Sequence, residues 1–471
     1  MAVHVSELLA QAQGLHNVGA SVKAAAVLGE IPIARVPSRD FFSAVMLSSD
    51  LAAFGIMTKN RTGDWSGDEL VRICNARLRK PSASAAELAL ERSALSAVLA
   101  LKAGSAEDRD GLFASIACGD DALRRPAYGG DRAAEEAFVA FHARYSIWQA
   151  EFGRHQEAND ALAETALLVD GSRDLPVYTR FEDLTARAWM HSLTTRTAAA
   201  ARQDVEAIRA FGISGSIPQA LWTSAYFRAL DLRVRGDVGG AIDLFRYVID
   251  ATRRNDTPYW EALIAPRLIF AIATSEGVAP ARAALRGLRQ PYPVLDEALA
   301  CMEALCAGDY RTSEARATQL YRRFERYAHR MYRFVALILR ANARRGLHDQ
   351  AGCEADVDEA LALCLATPTP FGYTLKRAAG AMASLSQNKR KVQRAREILA
   401  EIARGSAGGS PVSPLTARQQ EIATLASQGA SNAEIAARLR LSRRTVENHL
   451  FAAMQRLGIR ARWQLRSALE P

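Results

Sequence analysis

Residues 415–471 constrain this chain most, because they carry helix starts and stops at fixed intervals. Thr416 precedes an apolar-periodic run with Gln419 three residues on, and Ser431 precedes another with Glu434 at the same spacing. Both are capping boxes, in which hydroxyl and carboxyl or amide side chains satisfy the free amides of a helix's first turn. Ser442, just before Arg443, Arg444, Thr445 and Val446, can cap a third helix. Gly429 can end the first helix and Gly458 the third, since glycine accepts the left-handed backbone of a helix stop. Only Arg440 and Leu441 separate the second helix from the third, which leaves room for one sharp turn. The spacing predicts four short helices built around a helix-turn-helix.

Periodicity sorts the faces of the third helix. Val446, Leu450, Ala453 and Leu457 recur every three or four residues and form the buried stripe. Arg444, Glu447, Asn448, Phe451 and Gln455 fall on the opposite face. A phenylalanine beside Arg and Asn suits a face that enters a DNA major groove. There a ring can touch a thymine methyl and an Asn can pair with adenine. Packing of Phe451 against a neighbouring domain is the plainer alternative.

The runs LT-x-R-x-x-E-I, G-x-SN-x-EIA-x-x-L-x-LS-x-x-TV-x-x-H and RLGI-x-x-R resemble the DNA-binding domain of LuxR-type bacterial transcription regulators. The resemblance covers 415–471 and implies a four-helix helix-turn-helix domain that binds double-stranded DNA. It assigns Asn432, Ser442, Arg443, Arg444 and Thr445 to the DNA contact, the last four at the entry of the recognition helix. Glu447, Asn448, Phe451 and Gln455 become its groove-facing residues. The segment from Ala461 to Leu469 corresponds to a fourth helix through which such domains pair, implying a homodimer. Gln419 stands where the family has Glu, which preserves the cap. Glu447 stands where Lys is frequent, which removes a phosphate-seeking charge.

Charge is distributed as this expectation requires. The chain has 471 residues and a formal net charge of +9. Residues 415–471 hold nine Arg against four Glu, so just over half of that surplus sits in the segment expected to meet phosphate. No uncharged apolar run reaches the length of a membrane span, and the N-terminus lacks the pattern of a signal peptide. Six scattered cysteines suit a reducing compartment, so a cytoplasmic protein is expected.

Residues 1–404 read as helix throughout, rich in Ala, Leu, Arg and Glu and without alternating β-branched runs. A spaced motif recurs at Gly153, Ala158, Leu162, at Gly236, Ala241, Phe245 and at Gly346, Ala351, Ala355. The separations between these glycines are consistent with units of roughly 37 to 42 residues, near the period of helical-hairpin solenoids. Stretches near Gly277 and Gly308 fit less well, and the segment 1–130 shows the motif poorly. The expected fold is therefore all-α, with a tetratricopeptide-like solenoid clearest over 130–370. A Gly/Ser/Pro linker over 405–414 joins it to the helix-turn-helix domain. The basic helix before the linker, with Val392, Ile398, Leu399 and Ile402 on one side, can cap the solenoid or pair with a second subunit.

Catalytic motifs are lacking, and no enzyme, cofactor or metal is expected. Residues 14–21 have the glycine spacing of a phosphate loop, but Ala20 stands where its lysine belongs. Cys301 and Cys306, the one close pair, read as buried small residues. Trp148, Trp189, Trp222, Tyr226, Tyr259 and Trp260 can form core or line a groove. The expected function is a transcription regulator whose helical region senses a small-molecule or protein signal. A scaffold that assembles protein partners is the alternative.

Overall fold

The computed structural model describes residues 2–407 except 18–19, 54–66, 81–83, 106–107, 129–130, 152–153, 172–174, 195–196, 216, 255–257, 290, 326–329 and 367. Beyond these it describes 417–427, 430–439, 443, 446–447, 450, 453–454 and 465. Every element among the described residues is helical, and none is a strand. Among them no helix is long and apolar enough to cross a membrane.

From Arg132 onward the helices come in pairs. Arg132–Glu151 packs on His155–Gly171, Val177–Ser192 on Ala198–Ile213, and Gln219–Arg235 on Val238–Arg254. Pro258–Ser275 then packs on Val278–Arg286, Pro293–Cys306 on Tyr310–Glu325, Arg330–Gly346 on Gln350–Ala366, and Tyr373–Leu385 on Lys389–Ala407. Each pair also packs on the next, and from Phe181 to Ile402 the hairpins share one core.

The device that sets this repeat is a hydrogen bond at the start of each second helix. The amides of Ala158, Ala201, Ala241, Ala281, Ser313, Cys353 and Val392 donate to the carbonyls of Arg154, Thr197, Asp237, Gly277, Asp309, Asp349 and Asn388. These starts recur at nearly even intervals, and the step from Ala281 to Ser313, across the short helix Val278–Arg286, is the one marked exception. The first six donors are small and fully buried, which lets paired helices approach closely. Asp237, Asp309 and Asp349 each add a side-chain cap, accepting the amide three residues on at 2.8–3.1 Å.

The glycine motif of the sequence locates this device only in part. Gly236 ends its helix at φ 102°, and Ala241 and Phe245 are buried as expected. Ala158 and Leu162 are also buried, while Gly153 lies outside the described residues. At the third position the register differs. Gly346 is still helical, His348 takes the positive φ of 63°, and the second helix begins only at Gln350. The buried small residue is therefore Cys353, and Ala351 and Ala355 are exposed. Gly346 is needed instead for closeness, since a Cβ there would meet the Tyr310 ring at 2.4 Å. Gly277 and Gly308, which fit the motif poorly, also take positive φ at turns between paired helices.

The N-terminal helices build a separate hydrophobic core running from Val5 to Tyr145. Its irregularity begins at the short 3₁₀ turn Ile33–Arg35, held between Pro32 and Pro37, whose rings fix the backbone. Ile31, Ile33 and Val36 are buried there. The segment 14–21, expected as a connection between helices, is helical over 14–17, where Gly14 lies inside the helix Ala2–Asn17, and 18–19 lie outside the described residues. The larger core runs from Phe181 to Ile402. Trp222 and Tyr226 are buried within it and Trp189 and Trp260 pack on it, so these aromatics form core. Trp148 packs on the N-terminal core, and Tyr259 has no described side chain.

The end of the array returns to its middle. The turn Pro370–Gly372 packs on the helices Val177–Ser192 and Gln219–Arg235, and the helix Lys389–Ala407 packs on Ala198–Ile213 and Gln219–Arg235. Arg202 donates to the carbonyl of Gly405 at 3.1 Å across this contact. Ala395, Ile398 and Ile402 are buried there, so the basic helix caps the array on its own chain. It also runs through Gly405, Ser406 and Ala407 into the segment expected as linker, with 408–416 outside the described residues.

Candidate nucleic-acid interface

Two helices, Ala417–Ser427 and Asn432–Leu439, lead into the recognition segment. The second starts with the expected reciprocal cap. The Ser431 amide donates to Glu434 Oε2 at 2.7 Å, and the Glu434 amide donates to Ser431 Oγ at 3.3 Å. The donated backbone hydrogen bond, followed by the one from the Ser431 side chain, holds the Glu434 carboxyl below the usual carboxylate range. Thr416, the cap expected for the first helix, lies outside the described residues.

A small core fixes how these helices sit. Ile422, Ala423, Leu425 and Ala426 of the first helix meet Ile435 and Ala436 of the second. Val446, Leu450 and Ala453 from the third run complete the cluster together with Leu465. Those three residues are the predicted buried stripe, and Leu457, its fourth member, lies outside the described residues. Of the opposite face expected to meet a groove, Glu447 lies among the described residues and is exposed. Leu465, from the segment Ala461 to Leu469, is fully buried within the same cluster.

Of the residues assigned to the contact, Asn432 is half-buried at the start of the second helix. Arg443 and Glu447 are exposed, and the structure joins them to each other. Arg443 Nε donates to Glu447 Oε1 at 3.0 Å, one helical turn apart. That pairing was legible as an i, i+4 spacing of opposite charges; reading the two residues as separate contacts missed it. Ser442, Arg444, Thr445, Asn448, Phe451 and Gln455 lie outside the described residues.

Among the described residues no cluster of three His, Cys, Asp or Glu side chains forms, and all six cysteines are free thiols. Cys301 is buried and Cys306 exposed, and burial pushes the Cys301 thiol up to about 11. The expectation that both would be buried therefore fails at Cys306, which ends its helix at the surface.

Two short helices, the second with a reciprocal cap, an apolar stripe from the run that follows and a concentration of Arg fit a helix-turn-helix module. Residues 413–468 match the model of the family described as bacterial regulatory proteins, luxR family, so the chain carries a LuxR-family helix-turn-helix domain over that segment. The chain is also 57% identical over 49 residues to the response regulator RamR of Streptomyces coelicolor. That similarity covers 10% of this chain and 24% of the relative's length.

Proposed function

We propose that the chain is a cytoplasmic DNA-binding transcription regulator. Its C-terminal domain reads operator DNA in the major groove, and its helical region, a tetratricopeptide-like solenoid, senses a small molecule or protein. The observation that carries this reading is the LuxR-family match over 413–468, which coincides with the capped, separately cored helices. The concentration of Arg in the same segment supports phosphate contact. Arg443, Arg444, Ser442 and Thr445 position the recognition helix on the backbone, and Asn448 and Phe451 read base edges. Pairing through the Ala461 to Leu469 segment makes a dimer that reads two half-sites.

The test is titration of the full chain against duplex DNA recovered from a genome-wide map of its bound regions. Log affinity falls steeply and linearly with log salt. Arg444→Ala weakens binding to every sequence, whereas Asn448→Ala relaxes preference at one position at a cost of roughly 1–3 kcal/mol. Salt-independent binding, or none, overturns the reading and favours a scaffold.

A further inference from the structure

Beside the larger core lies a cavity of about 70 Å³, where five helices, the last of them Tyr373–Leu385, meet the turn before the final hairpin. Leu230, Met331, Phe334 and Leu363 give it an apolar lining, and Arg267 and Tyr373 stand at its polar side. At roughly 10–15 Å³ for each water-sized group, the space takes about five such groups.

The charge around this cavity is one-sided. Arg233, 8% exposed, donates to the carbonyl of Arg267 at 3.1 Å and lies 4.5 Å from the centre of the Tyr373 ring. Arg267 donates to the Leu263 carbonyl of its own helix and approaches the Tyr226 ring at 5.5 Å. Lys376 donates to the Val234 carbonyl, and Arg377 adds further positive charge facing Arg233. Among the described residues no carboxylate forms an ion pair with any of these four. Burial, with Arg377 and Arg267 adding to it and Tyr373 opposing it, pushes the Arg233 guanidinium down to about 10. Of the four, Arg233 is buried and Arg267, Lys376 and Arg377 are half-buried; a cation drawn out of water without a counter-charge is costly, and an incoming anion relieves that cost. Arg267 offers the planar fork that carboxylates accept.

Backbone strain marks the same place. Phe371 and Gly372 are consecutive left-handed residues at φ 56° and 67°, and Phe371 is a bulky side chain in a conformation it rarely adopts. Thr369 closes this turn by accepting the Thr374 amide at 3.1 Å, and both threonines line the cavity. On its other side the turn rests on the final helix, where Gly372 faces Ile402. That helix ends at Ala407, directly before the segment leading to the DNA-binding domain.

We infer that this cavity is the signal site: it binds a short aliphatic monocarboxylate, with the chain in the apolar space and the carboxylate on Arg267. The inference deepens the sensor part of the proposed function and rests on it. Occupancy reaches the DNA-binding domain through the strained turn and the helix Lys389–Ala407.

The experiment titrates the full chain by calorimetry with 4-methylpentanoate and with 4-methylpentanamide, following the unfolding temperature in parallel. The acid binds saturably and raises the unfolding temperature, and the amide does neither. Arg267→Gln weakens the acid at least tenfold, and Cys364→Met, which fills the cavity and keeps every cation, abolishes binding. Equal binding of acid and amide overturns the inference, as does undiminished binding by Arg267→Gln. Absence of any saturable heat or thermal shift for straight and branched acids of four to six carbons overturns it as well. DNA titrations of the same samples separate the two readings. A chain that binds DNA and no acid loses the signal site alone; one that binds the acid and no DNA loses the regulator reading.

Discussion

The array over 132–407 and the domain over 415–471 are both helical, yet they hold together by opposite means. The array distributes its stability over many nearest-neighbour contacts, with one core running from Phe181 to Ile402. It also buries charge: Asp356, 2% exposed, accepts from Arg340 at 2.6 and 3.0 Å and from Arg344 at 3.0 Å. Among its described residues the C-terminal domain has one small apolar cluster, and a reciprocal side-chain cap starts its second helix. A domain of that size buries a smaller fraction of its surface and is correspondingly marginal. The difference teaches that the array tolerates local change in its exposed caps and punishes change in buried charge. In the small domain single apolar residues decide.

The largest expected effect breaks the array. Asp356→Ala leaves the Arg340 and Arg344 guanidinium groups in the interior without their shared acceptor, at a cost of about 3–5 kcal/mol. Chemical denaturation followed by far-ultraviolet circular dichroism checks this, together with DNA binding at low denaturant. The array transition moves to lower denaturant while DNA binding persists. Simultaneous loss of both would show that the two regions fold as one cooperative unit.

Next comes the reverse perturbation. Ile435→Ala removes a fully buried side chain from the small cluster, at about 2–5 kcal/mol. That is comparable with the whole stability of so small a domain, so DNA binding is lost. The array's denaturation midpoint stays where it was. A DNA affinity within threefold of the parent would place Ile435 outside the core that supports recognition.

How much of this was legible in the sequence differs between the regions for the same physical reason. In the C-terminal domain the signals are local: Ser431 and Glu434 are three residues apart, and Val446, Leu450 and Ala453 share one helical stripe, so sequence spacing is spatial geometry. In the array the helical character and the approximate period were readable, but the registering feature was not glycine. It is a cap residue followed four positions later by a buried small side chain, and that side chain is Ala, Ser or Cys according to the repeat. Asp at 237, 309 and 349 was the available signal. The turn Pro370–Gly372 and the final hairpin after it close onto Val177–Ser192, Ala198–Ile213 and Gln219–Arg235, helices far earlier in the chain. That closure, and the lack among the described residues of a carboxylate partner for Arg233 and Arg267, depend on contacts distant in sequence. Spacing carries no trace of them.

A smaller effect sharpens the role of the caps. Ser431→Ala removes the acceptor for the Glu434 amide and costs the C-terminal domain about 1 kcal/mol. The same cap gives a pH dependence. Glu434's carboxyl is depressed in the folded state, so its contribution is complete above the ordinary carboxylate range and disappears as pH falls through the folded value. Thermal unfolding of the wild type and Glu434→Gln from neutral to strongly acid pH checks this. The difference between them narrows towards the acid end, and a constant difference would contradict the cap.

The smallest expected effect concerns the Arg443–Glu447 pair. Both side chains are exposed, at 74% and 46%, so water and salt screen their attraction. Glu447→Gln should therefore change stability by no more than about 0.5 kcal/mol. Its effect on DNA binding is separate and larger in relative terms. Removing the carboxylate frees the Arg443 guanidinium, one turn earlier on the helix, to meet a phosphate instead of its neighbour. It also removes a negative charge from the face approaching the backbone. Affinity for all sequences should then rise several-fold at low salt, with the slope of log affinity on log salt steepening by about one unit. The double variant Arg443→Ala with Glu447→Gln should lose that gain, because the freed charge is its source. A gain confined to one operator sequence would instead make Glu447 a reader of bases. Its pairing with Arg443 would then be a resting arrangement that DNA replaces.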